Sequence, residues 1–318
     1  MMYDYTDKTL TMEAKRLNFV KNTLEKEYRL LSILEFINNN SDLNNMIALK
    51  GGTAINLCLL DLPRLSVDLD FDLCLDCSRE EMLEQREKIY NIITNHMKRN
   101  GYYLSEKSKF VHSLDSFRCL YDTTSNSSDQ IKLDINYSDR LHVLPLVKKK
   151  TTSLLKETIE ITILNPLEII GSKVNALFTR TVMRDIYDMY NLIEAGIIED
   201  NEIVKKIALF YICISSDIPV NIDEIIEEAK RRIRSSIFQD YKETIVPVIH
   251  KGVYLEIERI KTVVLKYLDY YFVLTGEEKE FVDKFNKGIF DQKLLFGDYE
   301  CSDLSKHPMV LWKLSNLL

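Results

Sequence analysis

The segment RLSVDLDFDL, Arg64 to Leu73, limits what this chain can fold into more than any other stretch. Asp68, Asp70 and Asp72 alternate with Leu69, Phe71 and Leu73, the period-two pattern of a strand with one acidic and one apolar side. An edge strand can turn a charged face to solvent. Three large apolar side chains on the alternate positions instead place this strand in a core, with its acidic side facing a cleft. Carboxylates two residues apart point the same way and can share metal ions, and magnesium is commonly held by one or two carboxylates plus substrate phosphates. Asp68 and Asp70 are therefore candidate metal ligands. Asp72 is a neighbour whose repulsion a metal or basic residues must offset.

The flanking residues suit the same chemistry. MIALK, residues 46 to 50, reads as a buried strand that ends at Gly51 and Gly52, and TAINLCLL reads as a short helix. A glycine pair between strand and helix lets backbone N–H groups approach a phosphate closely, although a lone Gly-Gly is more often an ordinary turn. Farther on, IKLDINY offers Asp134 on another strand in apolar company. It is the best-placed third carboxylate for a two-metal site, in which paired ions stabilise both the attacking and the leaving oxygen of a phosphoryl displacement. The alternative for Asp134 is a surface position on an edge strand.

Around this constellation the pattern is mixed α/β up to about residue 165. One long amphipathic helix is expected over residues 11 to 39, and another over REEMLEQREKIYNIITNHMKRNG, closed by Gly101. YYLSEKSKF, SFRCLYD, IKLDINY and TIEITIL read as strands, mostly antiparallel. From Pro166, which suits a first helical turn, the pattern is almost wholly helical. Two domains, 1–165 and 166–318, are expected to pack together with a cleft between them. In GSKVNALFTRTVMRDIYDMYNL, read as one helix at about 100° per residue, Arg180, Arg184, Asp188 and Asn191 fall within about 60° of Lys173, and Asp185 points more to the side. A charged helix face is usually just solvated, but two arginines and a lysine together also suit a triphosphate.

Composition excludes several classes. A formal charge of -7 argues against a protein that coats nucleic acid indiscriminately, leaving Lys148–Lys150 and Lys230–Arg234 as candidates for a local basic groove. The chain has no run of 18 or more apolar residues, and its acidic start does not resemble a signal peptide, so a cytoplasmic protein without membrane contact is expected. The six cysteines are scattered, and Cys74-x-x-Cys77 lacks the second pair of ligands that zinc requires. The five histidines lack ligand spacing, and His307 is expected to be structural. Tyr267, Tyr270 and Tyr271 are expected to pack rather than stack on bases.

The order strand, Gly-Gly-Thr, helix, Asp-x-Asp strand and later Asp resembles the core of the polymerase-β-like nucleotidyltransferase superfamily. More narrowly, KGGTAINL followed by Arg64, Ser66, Asp68 and Asp70 resembles the AbiEii/AbiGii toxin family, as does the later Lys173, Arg180, Arg184, Asp188 series and the ending around His307-Pro308-Met309. The resemblance implies an α+β fold, a mixed-sheet nucleotidyltransferase core followed by an all-helical C-terminal domain. It implies Asp68, Asp70, Asp134, Lys173 and Asp188 as catalytic residues and a nucleotide site at Gly51, Gly52, Thr53, Ser66, Lys173, Arg180 and Arg184, with Asp185 as understudy to Asp188. Magnesium is the implied cofactor, with manganese as the alternative. The implied activity is nucleotidyl transfer from an NTP to an acceptor hydroxyl, on a tRNA 3′ end or a protein, by a toxin of a toxin–antitoxin or phage-defence pair. The cognate antitoxin would act through gene repression rather than direct binding. The rival reading is a module of the same fold that binds NTP without transferring it.

Overall fold

The computed structural model describes residues 6–155 and 158–316, and the chain divides into two compact units. The first comprises residues up to Arg140, Leu146–Ile163 and Pro247–Gly252; the second comprises Leu141–Pro145, Leu164–Val246 and the remainder from Val253.

The first unit begins with α1 (Asp7–Arg16) and α2 (Lys21–Asn39). The single helix expected over residues 11 to 39 is thus two, because Asn18 takes a left-handed φ of 57° that no helix continues through. Then follow β1 (Ile47–Lys50), α3 (Gly51–Ala54) with a π-helical turn over Ile55–Leu59, β2 (Asp68–Leu73) and α4 (Arg79–Arg99). Ser78 and Glu81 form a capping box at the start of α4, and Gly101, at φ 77°, follows its end. The remaining strands are β3 (Tyr103–Leu104), β4 (Lys109–Val111), β5 (Leu114–Asp122), β6 (Ser128–Asn136), β7 (Val147–Lys150) and β8 (Glu160–Ile163).

The eight strands form one sheet in the order β3-β5-β6-β2-β1-β8-β7, with β4 also on β5. The sheet is mixed: β2 runs parallel to β6 and β1 parallel to β8, while the other pairs are antiparallel. Leu69, Leu133 and Ile135 have no exposure, which explains the apolar side of β2 and β6. Lys148–Lys150, a candidate for a basic groove, lie exposed on edge strand β7, where lysines discourage pairing with other chains.

A six-residue return from the far part of the chain completes this unit. Leu65 N donates to Val248 O at 2.7 Å, Lys251 N to Asn18 O at 2.7 Å and Thr23 Oγ1 to Pro247 O at 3.0 Å, and Arg64 bridges Ile249.

The second unit is built from α5 (Pro166–Thr179), α6 (Met183–Glu194), α7 (Asn201–Ser215), α8 (Ile222–Ser235), α9 (Phe238–Thr244), α10 (Ile257–Tyr271), α11 (Gly276–Asn286), α12 (Gln292–Phe296) and α13 (Pro308–Ser315). Gly171 permits the contact of α5 with α7, since a Cβ there would lie 2.6 Å from Ile207 Cγ2. The fully buried Glu168 accepts from the N–H groups of Val143 and Leu144, both at 2.9 Å, and from Tyr211 at 2.6 Å. His307 is structural as expected: it is buried, and its Nδ1 caps α13 at Met309 N, 3.2 Å away. In the second basic cluster Lys230 pairs with Asp269, Arg231 with Glu228, and Arg232 donates to Phe178 O at 2.8 Å. Tyr267 packs as expected, whereas Tyr270 and Tyr271 are exposed. Among the described residues no helix is long and apolar enough to cross a membrane.

Candidate active site

The parallel pairing of β2 with β6 sets Asp70 directly opposite Asp134 and Asp68 opposite Lys132. Side chains on neighbouring strands in register share a face, so Asp68, Asp70 and Asp134 form one acidic layer, with Lys132 on β6 and Lys50 on β1 on the same face. The sequence contained the residues but not this register, because strand pairing is set by the path of the chain.

Asp70 feels the crowding most. Burial and the adjacent Asp68 push its carboxyl up to about 6; Asp134 adds to the effect, and Lys50 and Lys132 only partly oppose it. Lys50, opposite Asp70 on β1, pairs with Asp72 at 2.5 Å, which supplies the basic offset that Asp72 was expected to need. Asp134 is held at both oxygens: Ser116 Oγ donates to Oδ1 at 2.7 Å and Lys132 Nζ lies 2.5 Å from Oδ2. Among the described residues no three His, Cys, Asp or Glu side chains stand together as a ready metal cluster. The donor set nevertheless fits a hard divalent cation: carboxylates in register on adjacent strands, one of them raised by burial and by the charge of Asp68 beside it.

The glycine turn is shaped around Asp70. Gly51 has φ 70°, and a Cβ there would sit 2.8 Å from Asp70 Oδ2. Gly51→Ala is therefore expected to lower stability by about 1–3 kcal/mol and transfer rate roughly a hundredfold, read from urea melts and labelled-nucleotide turnover. Retention of full activity would mean that Asp70 moves without consequence. Thr53, expected to offer its hydroxyl to nucleotide, is buried and donates it to Asp68 O at 2.6 Å, so in this structure it fixes the strand that carries the carboxylates.

Ser66 is also buried, and its backbone N–H lies 2.5 Å from Oε2 of Glu27 on α2. Glu27 has no exposure and was not singled out in the sequence, although it lies on the helix face of Leu24 and Leu31. Burial, opposed by the Ser66 N–H and Arg64, pushes its carboxyl from 4.5 up to about 8. The folded protein therefore keeps a proton that the unfolded chain releases, so the stability contributed by Glu27 is present at low pH and is lost as pH rises from 4.5 through about 8. Glu27→Gln cannot ionise, and the difference in Tm between variant and parent is expected to shift in favour of the variant as pH rises over that window. A difference that stays flat with pH would show that Glu27 is ionised throughout.

The second unit gathers its own charged cluster. The single helical face expected from Lys173 to Asn191 is interrupted, because the chain leaves α5 at Thr179, passes Thr181 at φ 49° and starts α6 at Met183. The turn brings Lys173 Nζ within 2.8 Å of Asp185 Oδ1 and 3.0 Å of Asp188 Oδ2. Arg180 donates to Asp185 from Nε at 2.8 Å and Nη2 at 3.1 Å. Lys173 and Asp185 are nearly buried, Asp188 is fully buried, and Arg180 and Arg184 are more open. Burial would raise Asp185, but Lys173 and Arg180 outweigh it and hold the carboxyl below its usual range. Asp185 is thus a full partner in this cluster rather than a side residue.

The structure resembles that of MenT4, a nucleotidyltransferase toxin from Mycobacterium tuberculosis H37Rv, with a TM-score of 0.64 at 15% identity over 98% of this chain and 99% of that one. JHP933 from Helicobacter pylori aligns at a TM-score of 0.46 and 19% identity over 79% of this chain and 92% of its own. No curated protein matches the sequence significantly. The family model described as "Nucleotidyl transferase AbiEii toxin, Type IV TA system" matches residues 33–254, which span both charged clusters. The chain belongs to the AbiEii family of nucleotidyltransferase toxins.

Proposed function

We propose that this nucleotidyltransferase moves a nucleotidyl group from an NTP to an acceptor hydroxyl with release of pyrophosphate, the 3′ end of a tRNA being the first acceptor to test, and that Asp68, Asp70 and Asp134 hold magnesium or manganese. The observation that carries the reading is the register of Asp70 against Asp134 with Asp68 on the same face. A divalent cation held there would neutralise phosphate charge and favour the deprotonated acceptor oxygen.

The protein's own groups prepare the site. Thr53 fixes the Asp68 backbone, Gly51 leaves room for the Asp70 carboxylate, and Glu27 anchors the approach to β2 through Ser66. The backbone of Gly51 and Gly52 is assigned to the phosphates. Lys173, Arg180, Arg184 and Asp188 are assigned to the nucleotide on the family pattern, with Asp185 and Asp188 holding the Lys173 ammonium in one orientation. Nucleotidylated tRNA would be unfit for translation, which gives the toxin its effect and places its action in the cytoplasm. Type IV membership brings a cognate antitoxin, for which gene repression is the proposed mode.

The test is incubation of the full chain with each labelled NTP, magnesium and total tRNA or cell extract. Label at tRNA 3′ ends is the expected result. Label on protein would replace the acceptor, and NTP binding without any labelled product would overturn transfer in favour of a nucleotide-binding module.

A further inference from the structure

The acidic layer contains one residue that no role described so far requires. Lys132 stands in register with Asp68, two positions before Asp134 on the same strand, and so on the same side. Its ammonium lies 2.5 Å from Asp134 Oδ2, while Ser116 Oγ occupies Oδ1 at 2.7 Å. The third carboxylate therefore already has a cation. Lys50, the other lysine near the layer, is engaged with Asp72 at 2.5 Å, which leaves Lys132 as the compensating charge at Asp134. The Lys132 side chain is 33% exposed against 16% for Asp134, so the lysine has room to swing while the carboxylate is held.

We propose that Lys132 is a resident counter-ion that guards Asp134: it keeps the third carboxylate from free metal and moves to the triphosphate when metal-bound nucleotide arrives. This rests on the reading of Asp68, Asp70 and Asp134 as metal ligands. An ammonium on a long flexible stem can exchange a carboxylate for a phosphate without loss of a charge-assisted hydrogen bond. The exchange hands Asp134 to the incoming cation and the lysine to the phosphates. Metal without nucleotide must therefore compete with Lys132 for Asp134.

The two ligands should therefore respond to loss of the lysine in opposite directions. In titration calorimetry on the full chain, Lys132→Met is expected to bind Mn2+ alone roughly tenfold more tightly than the parent, because one competing charge is gone. With Mn2+ saturating, the same variant is expected to bind a non-hydrolysable NTP analogue roughly tenfold more weakly. Lys132→Arg, which keeps the charge, should restore the nucleotide affinity. A residue with a merely structural part would move both affinities the same way or neither, and either result overturns the proposal. Asp70→Asn distinguishes the two levels of the argument: if it leaves Mn2+ binding unchanged, the metal reading fails with the proposal. If it abolishes binding while Lys132→Met matches the parent for both ligands, only the guard is lost.

Discussion

Asp70→Asn is expected to slow nucleotidyl transfer roughly a thousandfold while leaving the thermal transition at or above that of the parent protein. The two halves have one cause. Asp70 stands between Asp68 and Asp134, and burial and these neighbours already raise its carboxyl to about 6, so its negative charge is a local liability in the folded chain. Asparagine keeps the shape and removes that charge. On the proposed metal reading it also removes a hard anionic ligand, for which a neutral amide oxygen is a poor substitute. Turnover of labelled NTP and a melt of the same preparation measure both. A variant with near-parental turnover would remove Asp70 from the chemistry, and one that melts many degrees lower would show that the carboxylate is a structural element.

Lys173→Met is expected to cost about 3–5 kcal/mol of stability, a large share of what holds a domain folded. Lys173 lies between Asp185 and the fully buried Asp188, at 2.8 and 3.0 Å. Removal of the ammonium leaves Asp185 with Arg180 and takes from Asp188 a charged partner in a place that water does not reach. The double variant Lys173→Met/Asp188→Asn should regain part of the loss, since the second change removes the buried charge that Lys173 offset. Urea unfolding of the single and double variants measures this. An unchanged midpoint in the single variant would mean that the lysine is free for ligand phosphates alone.

What could be read from the sequence divides by distance along the chain. The acidic alternation over Asp68–Leu73, the glycine turn and the close of α4 at Gly101 depend on neighbouring residues, and all appear where periodicity and turn chemistry put them. The opposition of Asp70 and Asp134 joins strands far apart in the chain, and no local pattern encodes it. The two helix breaks differ in kind. Asn18 tolerates the left-handed conformation, so a signal was present, whereas Thr181 is β-branched and held at φ 49° by its surroundings, with Oγ1 bonded to Leu177 O at 2.7 Å. That second break is why Asp185 was read as pointing aside. Lys132 was within reach, being two residues before Asp134 on a period-two strand, as was Glu27, a carboxylate between Leu24 and Leu31 on a largely apolar helix face.

The six residues Pro247–Gly252 bear on how the toxin is made. The polypeptide emerges in order, so Asp68, Asp134 and Lys173 are all synthesised before the segment that fastens Arg64 and Leu65 through Ile249 and Val248. A ribosome that has finished the carboxylate strands has not yet released the clasp that completes their unit. The unit that carries the acidic layer is therefore completed late, and a chain abandoned partway carries the acidic residues without the clasp.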